Sequence, residues 1–359
     1  MATYNANGEK LSMPYYNCTD YGVRPDSADN TMAMQALIDL IYEKGGGVIW
    51  LPAGTYIFDS VAYTWDMSGN ITALCEMRSG VSIIGESLHK SILKVTGTTE
   101  YGSSLFAQNS TISGEIMTGC TFQNFTVDMQ EAALQTYSHR GKAFYFSGIK
   151  NCVFRDLRLL GTPSTSLGID MLDNVVMDSV YVYKGGRQWA YGGNGGAGIG
   201  IGTGAWADEN YIIRNCVCVE CGHYGIFLED QGLFSANKDK NYPAGQVIAN
   251  NVVRNGRHYG IGVRGGMNVL VTGNNIYECV GGIYTDYGSK NIVFSGNLIQ
   301  GSTEAGFLYG DEYAEYPCER IAVLNNAFYD NAVGIKKTLE PTDSVEQANV
   351  MIGNTADEA

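Results

Sequence analysis

Carboxyl groups, two histidines and an arginine recur at matched places in this chain, and together they suit chemistry on sugars. Asp170 lies in Gly168-Ile169-Asp170-Met171-Leu172-Asp173, and Glu229 and Asp230 close Gly225-Ile226-Phe227-Leu228-Glu229-Asp230. Asp286 follows Tyr284 in Gly282-Ile283-Tyr284-Thr285-Asp286. Paired carboxyls cleave a glycosidic bond when one protonates the leaving oxygen while the other attacks or activates water. A separation of roughly 6.5–9.5 Å gives inversion and roughly 5–5.5 Å retention. Glu229, beside Asp230 and the apolar Phe227, is the expected acid, because a neighbouring charge and burial both raise a carboxyl pKa. Asp170 is the expected base.

A second constellation suits proton abstraction instead. His223-Tyr224-Gly225 and His258-Tyr259-Gly260 are matched tripeptides at the openings of successive copies, with Arg264 close behind the second. A histidine or tyrosine could take an α-proton while Arg264 neutralises a uronate carboxylate. The ordinary alternatives are a stacked turn pair for the histidines and a Glu229–Arg264–Asp286 ion-pair ladder, which at a surface contributes only about 0–1 kcal/mol. Zinc lacks a third ligand at suitable spacing. No cofactor is required by carboxylate cleavage, although the acids could hold calcium. Around these groups, Arg187, Trp189, Tyr191, Tyr242, Tyr284, His223, Asp173 and Asp311 are candidate substrate contacts.

The element that must position these groups is a repeat. A glycine, an apolar residue and then alternation recur at Gly168, Gly198, Gly225, Gly260, Gly282 and Gly306, with Gly334-Ile335 opening a last copy. Between copies, Asn251-Val252, Asn275-Ile276, Asn297-Leu298 and Asn326-Ala327 step by a little over twenty residues. Such a period, with strand-type alternation inside it, predicts an all-β single-stranded right-handed parallel β-helix. Aligned on their glycines, the copies place Asp170, Gly200, Phe227, Gly262, Tyr284 and Leu308 in one outward column. Leu172, Gly202, Glu229, Arg264, Asp286 and Gly310 fall in the next. Gly200 and Gly202 then leave a bare floor between Asp170 and Glu229. Asparagines are expected at a turn, bonding to the coils above and below.

The open end of a solenoid needs a plug. Asp29-Asn30-Thr31 followed by Met34, Leu37, Ile38 and Ile41 reads as a capped amphipathic helix, stopped by Gly45-Gly46-Gly47. One domain over 1–359 is expected, with cap and first strands at 18–58, coils over 59–340 and a terminal segment at 341–359. Insertions at 184–197, 231–245 and 311–318 abut the candidate face and carry exposed-type aromatics.

The run Asp20-Tyr21-Gly22-Val23-Arg24-Pro25-Asp26, the helix, and Gly47-Val48-Ile49-Trp50-Leu51-Pro52-Ala53-Gly54-Thr55-Tyr56 resemble the N-terminal signature of the pectate-lyase-like β-helix superfamily. That superfamily includes polysaccharide lyases, family-28-type glycoside hydrolases, uronan epimerases and phage tailspike depolymerases. The resemblance implies a polysaccharide or oligosaccharide partner, acted on by a hydrolase or lyase, or held by a non-catalytic adhesin. This chain departs from the pattern at Pro25-Asp26-Ser27, where many relatives have Gly-Asp-Gly. It shows neither the paired-aspartate motif of polygalacturonases nor the Asp-Pro-His-Asp/Glu motif of epimerases.

Composition narrows the partners further. With 23 basic and 37 acidic residues the formal charge is −14, which argues against nucleic acid. It also opposes an acidic polymer unless cations bridge. No apolar run reaches the roughly 20 residues of a membrane span, and Met1–Lys10 has no apolar signal core. The nine cysteines follow no metal or disulfide framework and read as core residues. Trimers are common among phage members of the superfamily this chain resembles, but no coiled-coil or separate trimerisation segment follows residue 340; a monomer or a homotrimer is expected.

Overall fold

The structure, a computed structural model, describes residues 3–4, 10–11, 13–62, 65–66, 72–190, 192–193, 195–204, 206, 209–230, 245–310 and 316–359. Alternating apolar residues wind it into a right-handed parallel β-helix with three strands per coil, the coil strands pairing in parallel with their counterparts one coil on; the short strands Thr3–Tyr4 with Lys10–Leu11 and Trp65–Asp66 with Thr72–Glu76 pair antiparallel. One face runs through the first residues of the long strands Phe144–Leu160 and Leu167–Tyr183, which then bend around the other two faces, and on through Ile199–Thr203, Ile226–Asp230, Tyr259–Arg264, Gly281–Asp286 and Phe307–Tyr309. The candidate chemistry lies on this face.

Inward positions form continuous stacks. Leu167, Ile199, Ile226, Ile261, Ile283, Phe307 and Ile335 follow one another in register and are all buried. Each such side chain contributes roughly 1.5–3 kcal/mol by leaving water. In the earlier coils aromatics fill the same interior: Phe122 stacks on Phe154 with ring centroids 5.1 Å apart, and Phe106 on Phe144 at 5.7 Å. All nine cysteines are free and buried, and Cys120 sits one coil before Cys152 as the repeat requires.

Buried asparagines tie the coils together. Asn251 donates its side-chain amide to Asn274 Oδ1 at 2.9 Å, Asn274 to Asn297 at 2.9 Å, Asn297 to Asn326 at 2.9 Å, and Asn326 to Asn349 at 3.1 Å. Each amide also donates to a backbone carbonyl of the preceding coil, as Asn297 Nδ2 does to Val271 O at 3.1 Å. The expected ladder exists, but its second rung is Asn274, not Asn275, which opens the following strand and is only half-buried.

The helix Thr31–Glu43 plugs the first coil with Met34, Leu37, Ile38 and Ile41. Asp29 supplies the cap, its Oδ1 accepting from Thr31 N at 3.1 Å and from Asp59 N at 3.1 Å. On the inner face Gln35 pairs with an exposed strand edge: Nε2 donates to Glu76 O at 3.2 Å, while Glu76 N donates to its Oε1 at 2.7 Å. An edge that would otherwise recruit another strand is thereby satisfied.

The register of the site coils differs from the glycine-to-glycine alignment. Gly168 pairs with Gly200, not Gly198, and Asp170 with Gly202, not Gly200. Past Asp170 the strand turns a corner at Met171, which has φ 56° and is only partly buried, and Leu172, expected in the outward column, is instead buried in the core. Sliding a strand by two residues leaves every side chain on the same face, because alternation has period two. The inside-outside pattern is therefore blind to such a shift.

Candidate functional site

With the observed register, outward positions form two columns along the face. One column holds Tyr145, Gly168, Gly200, Phe227, Gly262, Tyr284 and Leu308. The other holds Ser147, Asp170, Gly202, Glu229, Arg264 and Asp286. Asp170 and Glu229 thus share a column, separated by a single bare coil. Two strand spacings put their backbones about 9–10 Å apart.

A cleft of about 390 Å³ opens over this bare coil, walled by His139, Lys142, Tyr145, Asp170, Phe227, Glu229 and Asp230. Lys142 was not foreseen. It precedes its strand, so no periodicity marks it; the only trace in the sequence is the missing side chain at Gly168. A Cβ there would lie 3.0 Å from the Lys142 Nζ, so glycine leaves the space through which the lysine reaches the floor. The ammonium sits 3.7 Å from the Tyr145 ring centroid, a cation–π contact. Burial pulls the Lys142 pKa down to about 8, partly opposed by the charges of Asp170 and Glu229. Burial likewise raises the Asp170 carboxyl above its ordinary value, against the pull of Lys142 and a bond from the Gly202 backbone. Tyr145 is pushed up to about 12 by burial and by Asp170. His139, which no repeat or motif marks, also lines the cleft. Burial and the neighbouring Lys142 and Arg140 hold its pKa down.

Glu229 is placed differently. Its side chain is 39% exposed, and Oε1 accepts from Arg264 at 3.2 Å. The environments therefore oppose the roles expected from sequence: the buried carboxyl is Asp170, and the carboxylate held by a cation is Glu229. The physical reason is depth, which a residue's neighbours in sequence do not report.

Beyond Phe227 and Glu229 the groove continues into a second compartment of about 640 Å³. Tyr224 and Phe227 stack face to face at 4.1 Å, and His223 lies 4.8 Å from His258 between ring centroids. Adding a Cβ at Gly262 would bring it within 2.6 Å of Tyr224 and 2.8 Å of Phe227, so that glycine is what lets both rings lie against the sheet. Desolvation holds His223 down at about 3, and it also lowers His258. Tyr284 donates to Asp286 Oδ2 at 2.5 Å. Glu304, absent from the sequence expectations, lines the far side and pairs with Lys336 at 3.3 Å.

The insertion residues fare unevenly. Trp189 does reach this compartment, but it is buried, stacked on His223 at 4.2 Å with its indole N–H donating to Gly193 O at 2.7 Å. It is a wall that orients His223, not an exposed platform for a sugar. Arg187 points away from both compartments: its guanidinium donates to the carbonyls of Gly161 and Ala132 and braces neighbouring coils. Asp173 lies past the corner, paired with Lys150 at 3.3 Å and accepting from Asn210. Neither was separable from the groove without knowing where the strand bends. Tyr191, Tyr242 and Asp311 lie outside the described residues, as do most of the insertions at 231–245 and 311–318. Among the described residues no group of three or more His, Cys, Asp or Glu is arranged to hold a metal ion. No helix among them is long and apolar enough to cross a membrane.

Comparison with known proteins adds the following. A family model described as "Rhamnogalacturonase A/epimerase, pectate lyase-like" matches residues 15–308. Mannuronan C5-epimerase AlgE2 of Azotobacter vinelandii is 36% identical over 81 residues, 22% of this chain and 8% of that protein. The matched part of the chain thus spans under a tenth of that relative's length. Among solved structures, the A-module of the Azotobacter vinelandii mannuronan C-5 epimerase AlgE4 has a TM-score of 0.66 at 15% identity, over 96% of this chain and 97% of the other. The Streptococcus pneumoniae surface protein and adhesin PfbA gives the same values: TM-score 0.66, 15% identity, 96% and 97% coverage. At such identity the shared fold does not distinguish an enzyme from an adhesin.

Proposed function

The chain belongs to the rhamnogalacturonase A/epimerase, pectate lyase-like family, and we propose that it is a polysaccharide-acting enzyme that hydrolyses a glycosidic bond in the cleft over Gly202. The observation that carries this is the pair Asp170 and Glu229, in one outward column with a bare coil between them. In this reading Asp170, whose carboxyl burial raises above its ordinary value, gives its proton to the leaving glycosidic oxygen as the bond to the anomeric carbon breaks. Glu229, paired with Arg264, takes a proton from the water whose oxygen bonds to that carbon. With their backbones two strand spacings apart, the two carboxyls suit the wider class of separation, and inversion is the outcome this reading expects. Lys142 lies beside both carboxyls and binds a substrate hydroxyl or carboxylate there.

One observation favours a second reading. A buried lysine with a pKa near 8 can be neutral often enough to abstract the proton next to a uronate carboxylate. β-Elimination or epimerisation would then replace hydrolysis, with Arg264 or His139 near the carboxylate. Incubation with a panel of polysaccharides separates these outcomes. New reducing ends without ultraviolet absorbance from an unsaturated uronate support hydrolysis. That absorbance supports elimination, and solvent hydrogen exchanged into an uncut chain supports epimerisation. Binding without any product would leave an adhesin and remove the catalytic reading.

A further inference from the structure

We infer that the aromatic compartment is a distinct subsite for an uncharged sugar ring, joined at Phe227 and Glu229 to the compartment that holds Lys142. This rests on the reading of the groove as a glycan site and specifies what its second half accepts. The two halves share one sheet but treat charge differently. In the first, Lys142 faces a cleft with Asp170 and Glu229 as its charged neighbours. In the second, both nearby cations are already engaged: Arg264 with Glu229 at 3.2 Å, and Lys336 with Glu304 at 3.3 Å. The two histidines that line it are desolvated and held neutral.

A uronate carboxylate placed here would lose water and face Glu229 and Glu304 with no uncommitted cation among the described lining residues, which is costly. A neutral pyranose fits the same surroundings. Its C–H face can lie on the edges of Phe227, Tyr224 and Tyr284, while its hydroxyls can bond to Glu304, Thr338 and Arg264 on the rim. About 640 Å³ accommodates a ring with its substituents. A chain spanning both halves therefore presents an uncharged unit on the Tyr284 side of the cleaved bond, and a purely uronic polymer is disfavoured.

The test is calorimetric titration of the full chain carrying Asp170→Asn, using neutral tetrasaccharides derived from galactan, glucan, xylan and mannan, and uronic tetrasaccharides derived from polygalacturonate and polymannuronate. At least one neutral probe is expected to bind more tightly than both uronic ones. Two rim variants avoid the buried core. Thr338→Trp, which fills the compartment, is expected to weaken the neutral probe by about tenfold or more. Glu304→Lys is expected to shift preference towards the uronic probes by about tenfold. Circular dichroism and unchanged melting confirm that the variants fold. Failure of every neutral probe to bind at millimolar concentration, or neutral binding indifferent to both variants, overturns the subsite. A chain that cleaves no glycan but binds neutral rings through these residues keeps the subsite and loses the hydrolase reading. Cleavage of purely uronic chains, indifferent to Glu304 and Thr338, does the reverse.

Discussion

The two compartments of the groove are floored by successive strands of one sheet and meet at the same two side chains, Phe227 and Glu229. In the first, a lysine and a carboxyl are held away from their ordinary protonation behaviour by burial. In the second, the charges are matched in pairs and aromatic rings occupy the outward positions. Displaced proton affinities at the bottom of a cleft are what acid–base chemistry uses. Matched charges and stacked rings are what grip without reacting uses. One repeat can supply both because its outward positions are not needed for the core and are free to differ from coil to coil.

Removing the acid should break the first compartment most severely. Asp170→Asn is expected to lower kcat by about 100- to 10,000-fold while glycan binding persists, measured by reducing-end release and by titration. Glu229→Gln should cost a similar factor. Full turnover in either variant would erase the division between a reacting and a gripping half.

A change away from the groove should do the opposite. Asn297→Ala removes an amide that donates to Asn326 Oδ1 and Val271 O and accepts from Asn274. Leaving those partners buried and unpaired should lower stability by about 2–4 kcal/mol with kcat unchanged in the folded protein. Denaturant titration alongside kinetics checks this, and lost turnover at full folding would contradict it.

The second compartment should show its character in the pH dependence of stability. His223 is neutral in the folded chain down to about 3, against an ordinary value of 6.5. The unfolded chain therefore binds a proton first as pH falls, and the stability present above 6.5 is lost progressively towards 3. By about pH 5 the loss is expected to be on the order of 2 kcal/mol, and it should be reduced in His223→Gln. Equal slopes in both proteins would place the histidine's proton elsewhere.

The smallest effect sharpens the first compartment. Lys142 lowers the Asp170 pKa, so Lys142→Met should let it rise and move the loss of activity on the alkaline side to higher pH. A pH–rate profile reads this directly. Complete loss of turnover at every pH would instead make Lys142 the base of an elimination or epimerisation.

Much of this arrangement was legible before any coordinates. Alternation at the glycine-led copies assigned Ile199, Ile226, Ile261 and Ile283 to the interior. It also assigned Glu229, Arg264 and Asp286 to one outward column, because period two is written directly in residue order. The plug helix was legible from its cap and apolar stripe. What residue order could not carry was the offset between coils, since a two-residue slide within a strand keeps inward and outward positions, nor the corner at Met171 that turns Leu172 into the core. Only the folded chain decided that Asp170 stands over Gly202 and that Arg187 turns inward to brace its neighbours. Depth was decided there too. Lys142 comes to the floor of the cleft from outside the repeat, and the proton affinities of Asp170 and His223 follow from how many atoms surround them, a property of packing in three dimensions.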